Sequence, residues 1–148
     1  MYKEYPTFTY YETREYGRKS RTDDPLLSTE EILEKHSKII EEYAIKHLGG
    51  PIPKENKYME VGSGESLKDR PEITRLLKDI ENPAIKAIIV VDVQRLSRGD
   101  LEDAGKLIRL LRYTNTYVIT PMKIYDLRDE YDRDAFEREL KRGNEYLE

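Results

Sequence analysis

Apolar positions along the chain alternate between helical spacing and short unbroken runs. Ile32, His36, Ile39, Ile40, Tyr43, Ala44 and Leu48 fall on one face of a helix. Ser28-Thr29-Glu30-Glu31 heads that helix as a capping box, in which the hydroxyl and the carboxylate satisfy free amides reciprocally, and Gly49-Gly50-Pro51 ends it. A second helical pattern, Ile73, Leu76, Leu77 and Ile80, starts at Pro71 and stops at Asn82-Pro83. A third, Leu101, Ala104, Leu107, Ile108 and Leu111, is opened by Gly99-Asp100, with Asp100 as N-cap and Glu102 and Asp103 in the first turn. A fourth helix starts near Asp129 and runs to the last residue.

Between these helices lie four strand signals. The clearest is Ala87-Ile88-Ile89-Val90-Val91, apolar and mostly β-branched, as befits a strand covered on both faces. Thr116 to Thr120, closed by Pro121, is a second, and Tyr58-Met59-Glu60-Val61 a third. The first strand lies within Phe8 to Gly17, although Glu12 to Lys19 carries more charge than a central strand favours. Strand and helix thus alternate four times. The expected fold class is α/β, a mainly parallel central sheet flanked by helices, with functional groups beyond the carboxyl ends of the strands.

The 148 residues suit one domain, and 37% hydrophobic against 38% charged residues suits a polar but folded chain. With no cysteine there is no disulfide framework, thiolate nucleophile or cysteine-type zinc site. No apolar run approaches the roughly 20 residues of a membrane helix, and the first residues lack the apolar core of a signal peptide. The expected compartment is the cytoplasm. A net charge of −4 argues against a self-sufficient nucleic-acid binder, so any grip on DNA must come largely from elsewhere. Twelve tyrosines, two phenylalanines and no tryptophan are unusual, and five of the tyrosines crowd the first sixteen residues.

Three polar clusters follow predicted strands: Tyr16-Gly17-Arg18-Lys19-Ser20-Arg21; Gly62-Ser63-Gly64-Glu65-Ser66 with Arg70; and Asp92-Val93-Gln94-Arg95-Leu96-Ser97-Arg98-Gly99. Each alone reads as an ordinary turn or as surface charge. Brought to one sheet edge, they would set a hydroxyl among several guanidiniums. That combination suits phosphoryl transfer: a serine oxygen can form a covalent phosphoester, and planar guanidinium forks match and stabilise the charge on phosphate oxygens. One well-placed arginine is worth roughly 10³–10⁵ in rate in other phosphoryl transfers.

These clusters resemble the catalytic domain of the serine recombinases, the resolvase–invertase family, and most of all the large members of phage-integrase and transposon-recombinase type. The Tyr-x-Arg-x-Ser motif appears as Tyr16-Gly17-Arg18-Lys19-Ser20. The Ser-Gly-x-Ser…Arg-Pro block appears as Ser63-Gly64-Glu65-Ser66 with Arg70-Pro71, and the Arg-Leu-x-Arg block as Arg95-Leu96-Ser97-Arg98 before Gly99-Asp100. Thr120 to Asp126 also looks like the large subgroup. The resemblance runs from about Tyr16 onward.

It implies that Ser20 is the nucleophile, leaving a 5′-phosphoserine link to DNA and a free 3′-hydroxyl. It places Arg18, Arg70, Arg95 and Arg98 around the scissile phosphate, makes Ser63 a second active-site serine, and gives Tyr16 and Glu60 supporting places. It implies no metal and no cofactor, DNA recombination sites as partners, and a homo-oligomer that is dimeric or, in synapsis, tetrameric. Residues 1–128 would be the catalytic domain and 129–148 the truncated start of a long C-terminal helix, with DNA-binding domains absent.

The chain departs from the family pattern in places. Gln94 stands where small resolvases carry Asp, which leaves open whether Asp92 substitutes. His36 stands where the family often has Gln, and is expected to be a core or interface residue. His47, near a helix end, is expected to compensate the helix dipole at the surface. Asp23 and Asp24 are expected to pair with the arginine-rich loop when DNA is absent. Two other readings remain open: an oligomerisation module that is inactive or dormant, and a flavodoxin-like signalling domain with Asp92 as phosphoacceptor. The latter leaves Arg18, Arg95 and Arg98 beside Ser20 unexplained.

Overall fold

A computed structural model of the chain describes residues 4–20, 23–61, 70–96 and 101–145. Among them are five strands: β1 Thr13–Gly17, β2 Lys57–Met59, β3 Ala87–Ile89, β4 Tyr117–Ile119 and β5 Ile124–Tyr125. Four helices accompany them: α1 Thr29–His47, α2 Pro71–Asp79, α3 Leu101–Tyr113 and α4 Glu130–Glu145. The strands form one sheet in the order β2-β1-β3-β4-β5. The first four are mutually parallel and β5 is antiparallel to β4, with Val118 opposite Tyr125. The expected mainly parallel α/β sheet is present, extended by an edge strand that the sequence pattern did not signal. Two residues after a turn are too few to show a period, and β5 exists because Thr120 and Lys123 bond across that turn.

Side chains alternate across β3 and divide the core. Ala87 and Ile89 face Ile40 and Ala44 of α1 and Leu48 just past its end, together with Phe8 and Ile52. Ile88 and Val90 face the opposite layer, built by α2, α3 and α4 with Tyr16, Tyr58, Val118 and Tyr125 of the sheet. Phe136 of α4 is fully buried and meets Tyr125 edge-on at 5.7 Å between centroids.

α1 forms where its capping box stands. The Ser28 hydroxyl accepts from the Glu31 amide at 3.1 Å, and Glu31 accepts from the Ser28 amide at 3.0 Å. Beyond its end Gly49 adopts φ +83°, and the Gly50 amide donates to the Ala44 carbonyl. The buried face shifts slightly from the expected one: Leu33 is buried, whereas Ile39 is 39% exposed. In α4, Asp129 acts as N-cap, its carboxylate accepting from the Asp132 amide at 3.0 Å. The N-cap assigned to Asp100 lies outside the described residues.

Two strand expectations are corrected. β2 ends at Met59 and Val61 is 79% exposed. The charged first strand is not peripheral: β1 lies between β2 and β3, and Glu15 is buried. Burial raises the pKa of its carboxyl, while Oε2 accepts from the Ser37 hydroxyl of α1 at 2.6 Å. Burial thus works against the ionised carboxylate here, and the Ser37 hydroxyl and the charge of Lys57 work for it. The amino-terminal segment also contributes to the core: Phe8 stacks on Tyr117, and the Tyr5 hydroxyl donates to Asp132 at 2.7 Å.

Docking of α4 through Phe136 is open to a direct test. Phe136→Ala should cost about 3–5 kcal/mol in chemical denaturation. Tyr131→Ala, on the same helix but 87% exposed, should stay within about 0.5 kcal/mol of the wild type.

Candidate active site

The strand order has a switch point between β1 and β3, because the chain moves outward from β1 to β2 and then crosses back to β3. In open α/β sheets the loops leaving the carboxyl ends of two such strands diverge and leave a crevice, the usual place of a site. The β1 end supplies Gly17, Arg18 and Ser20. The β3 end supplies Asp92 and the short 3₁₀ turn Val93–Leu96, anchored in the core by Val93 and Leu96. α2 brings Arg70 as its N-cap residue, 4% exposed.

Arg18 and Arg95 interlock through each other's backbone. Arg18 Nε donates to the Arg95 carbonyl at 3.1 Å and Nη2 to the Gln94 carbonyl at 3.0 Å. Arg95 Nη1 donates in turn to the Arg18 carbonyl at 3.1 Å. Burial, aided by the charge of Arg70, lowers the Arg18 pKa to about 10, so it stays protonated at neutral pH. Its hydrogen bonds all end on backbone carbonyls, including that of Lys19.

Arg95 is neutralised differently. Asp23 holds both terminal nitrogens, accepting from Nη1 through Oδ2 and from Nη2 through Oδ1, the latter at 3.1 Å. Asp92 lies against the other edge, 3.3 Å from Nε and 3.2 Å from Nη2. Burial opposes the charge of Arg95, but the two carboxylates outweigh it and raise the pKa. Burial likewise works against ionised Asp23, yet Arg95 and the Ser20 amide hold its pKa below the ordinary range. That amide donates to Asp23 Oδ2 at 2.7 Å, and the Asp23 amide returns a bond to the Ser20 carbonyl. One carboxylate thus ties the serine's backbone to an arginine of a different loop.

Glu60, fully buried, organises the α2 side. Its oxygens accept from the Glu72 amide at 3.1 Å and the Ile73 amide at 2.9 Å, capping the helix that carries Arg70. Oε2 also accepts from the Tyr16 hydroxyl at 3.1 Å. Burial, then the neighbouring Glu60 charge, raises the Tyr16 pKa, which keeps this phenol a donor.

Of the sequence-derived site residues, Arg18, Arg70, Arg95, Ser20, Tyr16, Glu60, Asp92 and Gln94 all lie at these strand ends. Gln94 takes part through its carbonyl. Ser63 and Arg98 lie outside the described residues. Asp23 pairs as expected with an arginine, here Arg95, and also with the Ser20 amide of its own loop, while Asp24 is exposed and accepts from the Leu26 amide. His36 is buried as expected, yet it faces this site, with Nε2 3.8 Å from Asp23 Oδ1. Burial, then Arg95, lowers its pKa. His47 sits in the last turn of α1 against the Tyr43 ring.

A mainly parallel sheet thus brings Ser20 to its switch point together with guanidinium groups. The chain belongs to the resolvase family: the family model described as "Resolvase, N terminal domain" matches residues 15–142. This membership carries a DNA-recombinase catalytic function in general terms. Its fold is similar to that in the crystal structure of the N-terminal catalytic domain of TP901-1 integrase, with a TM-score of 0.63 and 21% identity, over 91% of this chain and 95% of that one. No helix among the described residues is long and apolar enough to cross a membrane.

Two predictions follow from the buried polar groups. Glu60→Ala strands two buried amides and should lose at least about 1–3 kcal/mol of stability, whereas Tyr16→Phe should lose about 0.5–1.5 kcal/mol. Both are read by urea melts. His36, with its folded pKa below the ordinary 6.5, binds protons more readily when unfolded. Its contribution is full above about 6.5 and is lost as pH falls through the folded pKa. The melting temperature should therefore fall more between pH 7.5 and 5.5 in the wild type than in His36→Gln.

Proposed function

We propose that this domain cuts and rejoins DNA by transesterification through Ser20. The Ser20 oxygen attacks phosphorus and loses its proton, the 3′ oxygen leaves and gains one, and a 5′-phosphoserine ester remains. The reverse step rejoins a 3′-hydroxyl, so the energy of the broken bond is kept in the ester and no metal or cofactor is required. Arg18, Arg70 and Arg95 would stabilise charge on the phosphate oxygens, with Arg98 and Ser63 joining them by resemblance alone. Tyr16 and Glu60 would hold the α2 side in place, and Asp92 and Gln94 the Arg95 turn.

The observation that carries this reading is the shared Asp23 carboxylate: it brings the Ser20 backbone and the Arg95 fork onto one anion-sized point beside Arg18. A phosphoacceptor role for Asp92 gains no such support, since its carboxylate lies against Arg95. We read DNA recombination sites as the partner, two of them paired by a tetramer.

The test is covalent trapping on a nicked duplex of the target site, followed by peptide mapping. The wild type should yield an adduct at Ser20, and Ser20→Ala should bind DNA yet yield none. An adduct that survives Ser20→Ala would refute the nucleophile. Arg95→Ala should cut adduct formation far more than DNA binding, and equal losses would reduce that arginine to a backbone anchor.

A further inference from the structure

The Arg95 guanidinium has no idle nitrogen. Nε is held by Asp92, Nη1 by the Arg18 carbonyl and Asp23, and Nη2 by Asp23 with Asp92 alongside. A guanidinium offers five N–H donors in a fixed fork, so a phosphate can use its Nη1–Nη2 edge only if an existing acceptor leaves. Two of the three acceptors travel with the site's own framework. Asp92 sits three residues from Arg95 at the head of the same turn, and the Arg18 carbonyl belongs to the backbone leaving β1. Asp23 alone reaches in as a side chain from a separate segment, and it binds the fork in the two-oxygen manner that a phosphate would.

We propose that Asp23 is a positioning residue that occupies the place of the DNA phosphate: its carboxylate fills the anion site formed by Arg95 and the Ser20 amide, and the scissile phosphate enters by exchange with it. The inference rests on the recombinase reading above and adds how that site is kept closed. Three donors converge on Asp23: Arg95 Nη1, Arg95 Nη2 and the Ser20 amide. Two phosphate oxygens present the same acceptors. Exchange also passes the Ser20 amide from Asp23 to the incoming phosphate, so the backbone of the nucleophile changes partner in the same event that engages the arginine. The freed carboxylate has His36 Nε2 within reach as another partner, now 3.8 Å from Oδ1.

Inorganic phosphate is a sufficient probe, followed through the Arg95 Nε–H and Ser20 N–H signals by NMR. When a competing internal anion is removed, apparent affinity rises by the reciprocal of the fraction of sites it had left open. Asp23→Asn should therefore tighten phosphate binding about tenfold or more, a scale set by one lost competing contact. Asp24→Asn makes the same charge change on the same loop without touching Arg95, and should leave affinity nearly unchanged. Adding Arg95→Gln to Asp23→Asn should abolish the gain. Equal tightening by Asp23→Asn and Asp24→Asn would reduce the effect to net charge and overturn the proposal, as would no tightening at all.

Should Asp23→Asn fail to fold, the wild type decides. Saturating phosphate must shift the Ser20 amide together with Arg95 Nε–H, whereas an Arg95 shift with an unmoved Ser20 amide would overturn the exchange. No strand cleavage enters this titration. Its failure leaves the Ser20 adduct untouched, and loss of the adduct leaves the exchange untouched.

Discussion

Two guanidiniums set side by side, that of Arg95 buried and that of Arg18 half-buried, govern how the carboxyl end of this sheet is built. Arg18 and Arg95 repel each other and Arg70 adds to the repulsion, so the fold must hold three cations where water is scarce. It does so mainly with acceptors that cannot drift away. Backbone carbonyls take every hydrogen bond of Arg18, and each arginine grips the other's carbonyl. Moving either loop alone would strand a guanidinium. β1 and the turn after β3 therefore behave as one unit, and that unit is the floor of the crevice.

The carboxylates nearby follow from the same constraint. Glu60 offsets the partial positive charge at the start of α2 and holds Tyr16, which fixes the place where Arg70 enters. Asp92 and Asp23 offset Arg95. The net charge of −4 of the whole chain is thus compatible with a cluster of arginines: these cations sit at the strand ends under local neutralisation.

Where a signal is local, the sequence was easy to read. The Ser28–Glu31 box, the Gly49 stop and the apolar run of β3 all form as expected, because each is determined by a few adjacent residues. Elements settled by distant partners were harder. Glu15 looked too polar for a central strand and is accommodated only because Ser37 lies opposite and burial favours the protonated acid. Phe8 had no visible period, yet it covers one edge of the α1 layer, and β5 depends on a turn rather than on its own two residues. The candidate site showed the same division. Motif order located Arg18, Ser20, Arg70 and Arg95, whereas the Asp23–Arg95 pair joins residues 72 apart, and the turning of His36 toward it has no sequence signature.

The energetics of that pair decide what kind of entrant the closed site admits. Parting a buried ion pair and leaving the charges uncompensated costs about 3–5 kcal/mol. At about 1.4 kcal/mol per factor of ten, that leaves on the order of one site in 10²–10⁴ open spontaneously. Replacing one anion by another avoids most of this cost, because the guanidinium is never left bare. Water cannot make that exchange and a phosphodiester can. A pocket built in this way stays shut against solvent without any covering lid, and it yields to the chemical group on which the neighbouring serine would act.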